Sequence, residues 1–156
     1  MRFGRAGSVA ALVLWVLPGL AGTAPAAEKA ELRGTGRFET PGWFKQSFLV
    51  MHEDVAEAAR DCKRLLVYFG QDGCPYCAQL FNTNFSQPHI LDYTRKHFDA
   101  IAIDIWGNRE VTDFSNKQMP EKEFAASLKV RFTPTILFFN EKGETVLRIN
   151  GYYPPH

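Results

Sequence analysis

The chain has 156 residues, 46% of them hydrophobic and 22% charged, the composition of a single globular domain rather than of a disordered or collagen-like chain. Eighteen Lys and Arg stand against seventeen Asp and Glu, a formal net charge of +1, so no bulk basic field exists to draw the protein onto nucleic acid. Three cysteines are too few for a disulfide-dense mini-protein or a four-thiolate zinc site, which leaves their spacing to carry any chemical meaning.

Arg2 and Arg5 make a short positive start, Val9 to Leu17 form an apolar run, Pro18 and Gly19 break it, and Ala24-Pro25-Ala26 offers small residues for cleavage. The pattern predicts a secretory signal peptide over residues 1–26, because the apolar run is well short of the roughly 20 residues that span a bilayer. Arg2 and Arg5 are not adjacent, against a twin-arginine signal, and no Cys follows the run to take a lipid. The mature chain is therefore expected to carry no membrane span and to reside in a bacterial periplasm or an equivalent oxidising space, where disulfides persist.

Residues 27–42 lack periodicity and carry Gly34, Gly36, Pro41 and Gly42, as expected of a flexible lead-in to a domain over 43–156. Met51, Val55, Ala58 and Cys62 recur at helical spacing and predict an amphipathic helix with Cys62 buried and inert on its apolar side. Leu65 to Phe69 is a continuous apolar run ending at Gly70, the pattern of a strand buried on both faces. A helix is expected from Cys74 to about Asn82. Another should be capped by Ser86, carry Pro88 in its first turn and reach His97. Phe98 to Ile105 reads as a strand, Trp106 to Met119 as a polar irregular segment, and Pro120 as the start of a helix to about Leu128. Thr135–Phe139 and Thr145–Ile149 then form a hairpin around Asn140-Glu141-Lys142-Gly143. This order predicts an α/β sandwich around a mixed sheet, the first two strands parallel and the hairpin antiparallel.

Cys74-Pro75-Tyr76-Cys77 follows the buried strand and opens a helix, a setting far more specific than a bare C-x-x-C pattern. At a helix start the unpaired backbone N–H groups and the positive end of the dipole stabilise a thiolate on Cys74. Pro75 suits the first turn, where its missing N–H costs nothing. Cys77 lies one turn further on the same face, within reach of a mixed disulfide formed on Cys74, so the pair can accept or donate a disulfide. Half of a zinc site is a competing reading, but His52, His89, His97 and His156 supply no second paired spacing. Ala78 stands where haem attachment would need His. Tyr76 is the one aromatic residue assigned to the site; Trp43, Phe44 and Phe48 are expected in the core more readily than at a substrate rim.

A strand ending at Phe69, the C-x-x-C at the next helix start, Thr133-Pro134 before a later strand and a terminal hairpin resemble the thioredoxin superfamily. Tyr68-Phe69-Gly70 through Cys77, Asp104-Ile105-Trp106-Gly107-Asn108 and Phe132-Thr133-Pro134-Thr135 are most similar to exported thioredoxin-like proteins associated with bacterial sulfur oxidation. The resemblance spans about residues 43–153. It implies a thioredoxin fold, thiol-disulfide oxidoreductase activity, attack by Cys74 and resolution by Cys77, and a redox-active Cys74–Cys77 disulfide in place of any metal or organic cofactor. It further implies that Pro75, Tyr76, Thr133 and Pro134 contact the substrate chain, with a cis peptide bond before Pro134. Expected partners are protein thiols and disulfides, sulfur-oxidation or cytochrome-maturation proteins among the candidates, with a membrane electron donor behind them.

Three departures from the family pattern matter. Tyr68 stands where thioredoxins have a buried acid that accepts the resolving thiol's proton. Pro75-Tyr76 resembles the glutaredoxin pair, so the redox direction does not carry over with the fold. Residues 150–156 cannot form the final helix that superfamily members usually place over one face, so Leu147 or its neighbours are expected to be partly exposed. The reading from another class is a non-catalytic thioredoxin-fold binding module in which the disulfide is structural.

Overall fold

The structure, a computed structural model, describes residues 38–155; the expected signal peptide and most of the expected lead-in lie outside them. The elements in chain order are α1 (Met51–Arg60), β1 (Arg64–Gly70), α2 (Pro75–Gln79) running into a π-helical turn (Leu80–Asn84), α3 (Pro88–His97) and β2 (Phe98–Asp104). There follow β3 (Glu110–Thr112), β4 (Gln118–Pro120), α4 (Glu121–Ser127), β5 (Thr135–Phe139) and β6 (Thr145–Asn150). The main sheet has the order β2-β1-β5-β6, with β1 and β2 parallel and the β5–β6 hairpin antiparallel.

Alternation along the strands divides the core in two. Leu65, Val67, Phe69, Ile101, Ile103, Leu137 and Phe139 face one side, under Met51 and Val55 of α1 and Phe124 of α4. Leu66, Tyr68, Ala100 and Ile136 face the other, against Leu80, Phe81 and Phe85 of the α2 segment. Phe38, from the expected lead-in, stacks its ring on Tyr68. Trp43 and Phe44 pack with Phe81, Phe85 and Tyr68, as core residues, whereas Phe48 is exposed.

The structure revises three local expectations. First, α1 stops at Arg60, and the Lys63 N–H donates to the Ala58 carbonyl at 2.8 Å while the Cys62 N–H donates to Ala59 at 3.1 Å. That pair of bonds closes a Schellman turn, with Cys62 at the left-handed position (φ 56°) usually given to glycine. Cys62 therefore leaves the apolar face of the helix and is exposed rather than buried. Second, Ser86 donates back to the carbonyls of Asn82 and Thr83, finishing the preceding helix, and Gln87 caps α3 without a side-chain bond. Third, the segment Trp106–Met119 contains the β3–β4 hairpin, with Val111 and Met119 buried around a turn held by the Asp113 carboxylate.

The sheet's second face is incompletely covered. Val146 and Leu147 of β6 are exposed, and an open groove of about 890 Å³ runs between β6 and α3, floored by Leu66, Ile136 and Phe138. Among the described residues β6 is followed only by irregular chain, and Leu147 is exposed as expected.

At the carboxyl end of β2, one carboxylate organises the following loop. Glu121 is 1% exposed and accepts the Asp104 N–H (3.0 Å), the Arg109 N–H (3.1 Å) and the Arg109 guanidinium. Gly107 is required beside it, since a Cβ there would run into the Glu121 carboxylate. Glu121→Gln keeps the shape but turns an N–H2 toward backbone N–H donors. We expect it to lower unfolding free energy by about 1–3 kcal/mol, read as a lower urea midpoint with unchanged slope.

Candidate functional site

Both parallel strands end at the same level, Gly70 opposite Asp104, and the Ile105 N–H donates to the Gly70 carbonyl at 3.0 Å. β5 runs the other way and starts where β1 finishes, Thr135 opposite Phe69. Three loops therefore meet at one edge of the sheet: Gln71–Cys74, Ile105–Asn108 and Phe132–Pro134. Gly70 allows the first to leave, because a Cβ at that position would collide with the Tyr68 hydroxyl and press on the Phe38 ring. Gly73, at φ 67°, turns the chain into α2.

Cys74 is the N-cap of α2, in extended conformation, with Pro75 in the first turn. Cys74 and Cys77 are joined in a disulfide, their Cα atoms 5.2 Å apart. Cys77 is 5% exposed and packs with Tyr68 and Phe81, whereas Cys74 is partly open to solvent. Two donors aim at the Cys74 sulfur: the Cys77 backbone N–H at 3.1 Å and the Thr133 hydroxyl at 3.2 Å. A sulfur that accepts both as a disulfide keeps both when it becomes a thiolate, where each is worth more.

The other residues assigned from sequence lie around this sulfur. Pro75 and Tyr76 are exposed, Tyr76 at 59%. The Thr133–Pro134 bond is cis, Pro134 is buried, and its carbonyl accepts the Gly151 N–H at 2.8 Å, tying the loop to the end of β6. Thr133, assigned to substrate contact, also donates directly to the Cys74 sulfur. Tyr68 lies under the pair; burial pushes its phenol far above the ordinary value, so it stays a neutral hydroxyl. Among the described residues no His, Cys, Asp and Glu side chains cluster as a metal site, and no helix is long and apolar enough to cross a membrane.

From the sequence, Trp106–Met119 reads either as a specificity loop or as a solvated insertion, and neither Trp106 nor Gln71 is assigned to the site. Trp106 is 70% exposed, yet its indole N–H donates to the Gln71 side chain at 3.1 Å and its backbone N–H to the Asp104 carboxylate at 2.9 Å. Burial holds the Asp104 carboxyl above its ordinary value; the Trp106 N–H works against this, and the charges of Glu121 and Asp72 add to it. Two sequence signals pointed here: a tryptophan inside a polar segment, and the likeness of Asp104-Ile105-Trp106-Gly107-Asn108 to exported thioredoxin-like proteins.

Residues 51–156, more than half of the chain, match the family model of a thioredoxin-like domain. No curated protein sequence is similar enough to match. A thioredoxin-fold protein from Helicobacter pylori is 29% identical at a TM-score of 0.50, over 60% of this chain and 63% of that one. This chain thus spans less than two thirds of that protein's length. A thioredoxin from Thermus thermophilus is 27% identical at a TM-score of 0.51, over 65% of this chain and 72% of that one. A DsbH oxidoreductase, 16% identical with a TM-score of 0.51 over 86% and 85% of the two chains, is alike in fold alone. With its mixed four-stranded sheet between helices and a cysteine pair at the first helix after β1, the chain belongs to the thioredoxin-like family.

Proposed function

We propose that the protein is an exported thiol:disulfide oxidoreductase that exchanges disulfides with partner proteins through Cys74 and Cys77. The observation that carries this reading is the asymmetry of the pair. One sulfur is reachable and receives two hydrogen-bond donors; the other is buried one turn behind it.

In the reduced protein the Cys74 thiolate attacks one sulfur of a partner disulfide, forming a mixed disulfide and releasing the partner's other sulfur as a thiolate. The Cys77 thiol then loses its proton and attacks the Cys74 sulfur. This closes the Cys74–Cys77 disulfide, releases the second partner thiolate and leaves the partner reduced by two electrons. The reverse sequence starts from the disulfide present here, when a partner thiolate attacks Cys74. Tyr68, a neutral hydroxyl, cannot take the Cys77 proton near neutral pH, so water or the departing partner thiolate receives it. The chemistry needs no metal or organic cofactor. Site contacts with the partner come from Pro75, Tyr76, Thr133 and Pro134. The apolar amino-terminal run and the disulfide support a periplasmic setting. The family resemblance supports partners from sulfur oxidation or cytochrome maturation, with a membrane electron donor.

Partner trapping tests the roles directly. Cys77→Ser should accumulate mixed disulfides on Cys74 in periplasmic extracts, while Cys74→Ser should accumulate few; equal trapping by both variants would remove the assignment. The pair's reduction potential should lie above about −300 mV, below which a bond is structural rather than exchange-active.

Alkylation of the reduced protein, resolved by peptide mass spectrometry because Cys62 is also exposed, should modify Cys74 well before Cys77. Thr133→Val removes one donor from the Cys74 sulfur. Hydrogen bonds to charged groups are worth about 1.5–3 kcal/mol and sulfur is a weak acceptor, so the pH midpoint of Cys74 alkylation should rise by about half to one unit. An unmoved midpoint would show that the hydroxyl does not stabilise the thiolate.

A further inference from the structure

Trp106 is the largest exposed apolar side chain on the three loops that meet at the disulfide's end of the sheet, and it is unusual in being both exposed and fixed. Its indole edge is held by Gln71, three residues before Cys74, and its backbone by Asp104. The loop beneath is fastened to the buried Glu121 carboxylate through Arg109 and the Asp104 N–H. Nothing in this arrangement uses the indole faces. An aromatic ring whose orientation is set before binding loses little entropy when a partner lies on it.

The charges around the ring decide what kind of group it suits. The Asp104 carboxylate accepts the Trp106 backbone N–H at 2.9 Å, and Asp72, exposed in the loop that leads to Cys74, directly follows Gln71, which holds the indole edge; its charge acts on Asp104. Arg109, the nearby cation, is engaged by Glu121 and the Ala102 carbonyl. The rim on this side of the disulfide therefore offers a π face and two carboxylates. A lysine or arginine satisfies both, through cation–π attraction and Coulomb attraction, whereas a neutral apolar side chain uses only the ring and an acidic one is repelled.

We propose that Trp106, with Asp72 and Asp104 beside it, is the specificity-determining contact of this site and receives a lysine or arginine that neighbours the reacting cysteine of a partner polypeptide. This deepens the exchange function proposed above and rests on it. Tyr76, exposed in α2, has no acidic residue in its own helix, and Phe132, exposed on the third loop, follows the exposed cation Arg131, so the basic residue is placed on the Trp106 side.

The test uses the full mature chain, reduced, against three disulfide-linked peptides that differ only in having Lys, Leu or Glu next to the cysteine, and against neutral hydroxyethyl disulfide. Wild-type protein should react with the Lys peptide about two- to fivefold faster than with the Leu peptide, the range an exposed cation–π contact gives, and slowest with the Glu peptide. Added salt should narrow the Lys-to-Glu ratio. Trp106→Ala should bring the Lys-to-Leu ratio to about one, Trp106→Phe should retain part of it, and Asp72→Asn, a surface change that spares the fold, should reduce the Lys-to-Glu ratio. A wild type that exchanges with hydroxyethyl disulfide but treats Lys and Leu peptides alike overturns the contact while leaving the redox function standing. Preference that survives in both Trp106→Ala and Asp72→Asn also overturns it. A wild type inert toward all four substrates overturns the exchange function itself and this contact with it.

Discussion

Strand β1 is apolar on both faces and paired along both edges, and the position of every group in the site follows from that. Leu65, Val67 and Phe69 are sunk in one core, Leu66 and Tyr68 in the other, with β2 on one side and β5 on the other. Slipping the strand by one residue would exchange the two faces and expel Phe69 and Tyr68 from pockets built for them, so the register is strongly determined. Its last paired residue is therefore fixed, and so is the point from which the Cys74 loop departs.

Direction then does the rest. A parallel neighbour ends where β1 ends, which brings Ile105–Asn108 alongside; an antiparallel neighbour begins there, which brings Phe132–Pro134. Ligand chemistry gathers outside the carboxyl ends of strands in open α/β sheets for this reason. The same register puts Tyr68 beneath the cysteines. Replacing a buried acid by a phenol that burial keeps neutral removes a proton acceptor without removing bulk. In the exchange proposed here, resolution by Cys77 therefore relies on solvent or the partner to take its proton.

The elements with strong periodicity or a hard boundary were legible in the sequence. β1, β2, β5 and β6, α3 after Pro88 and α4 after Pro120 fall within a residue or two of their expected ends. The cysteine pair was legible because its context, strand before and helix after, is itself readable. What escaped were decisions made by three-dimensional contacts. Two three-residue strands carry too little alternation to register, yet β3 and β4 exist because Val111 and Met119 find a core to enter. Helical spacing extended α1 to Cys62, but the Schellman bonds to Ala58 and Ala59 end it earlier and turn the thiol outward. Glu121 carried no assignment from the sequence. Its role is set by backbone N–H groups of Asp104 and Arg109, 12 to 17 residues away, which no local pattern encodes.

The two faces of the sheet divide the site's supports unequally. On the side of α1, α4 and the β3–β4 hairpin, seven residues of the main sheet are 1% exposed or less, and Glu121 fastens the Trp106 loop to that closed layer. On the other side β6 is an edge strand with Val146 and Leu147 exposed above an open groove. Opening in a folded protein begins where few apolar contacts hold the chain, which makes β6 its natural starting point. The Pro134 carbonyl is bonded to the Gly151 N–H, at the end of that strand. The loop carrying Thr133 is therefore tied to the weakest edge as well as to the inner strand β5, whereas the Trp106 loop is fastened to the most buried layer. Two of the three loops at the disulfide, Gln71–Cys74 and Ile105–Asn108, are thus anchored through β1 and Glu121. The third is held between the inner strand β5, where the Thr135 hydroxyl donates to the Phe132 carbonyl at 2.8 Å, and the edge strand β6, so the Thr133 hydroxyl at the Cys74 sulfur is carried by the loop with the least even support.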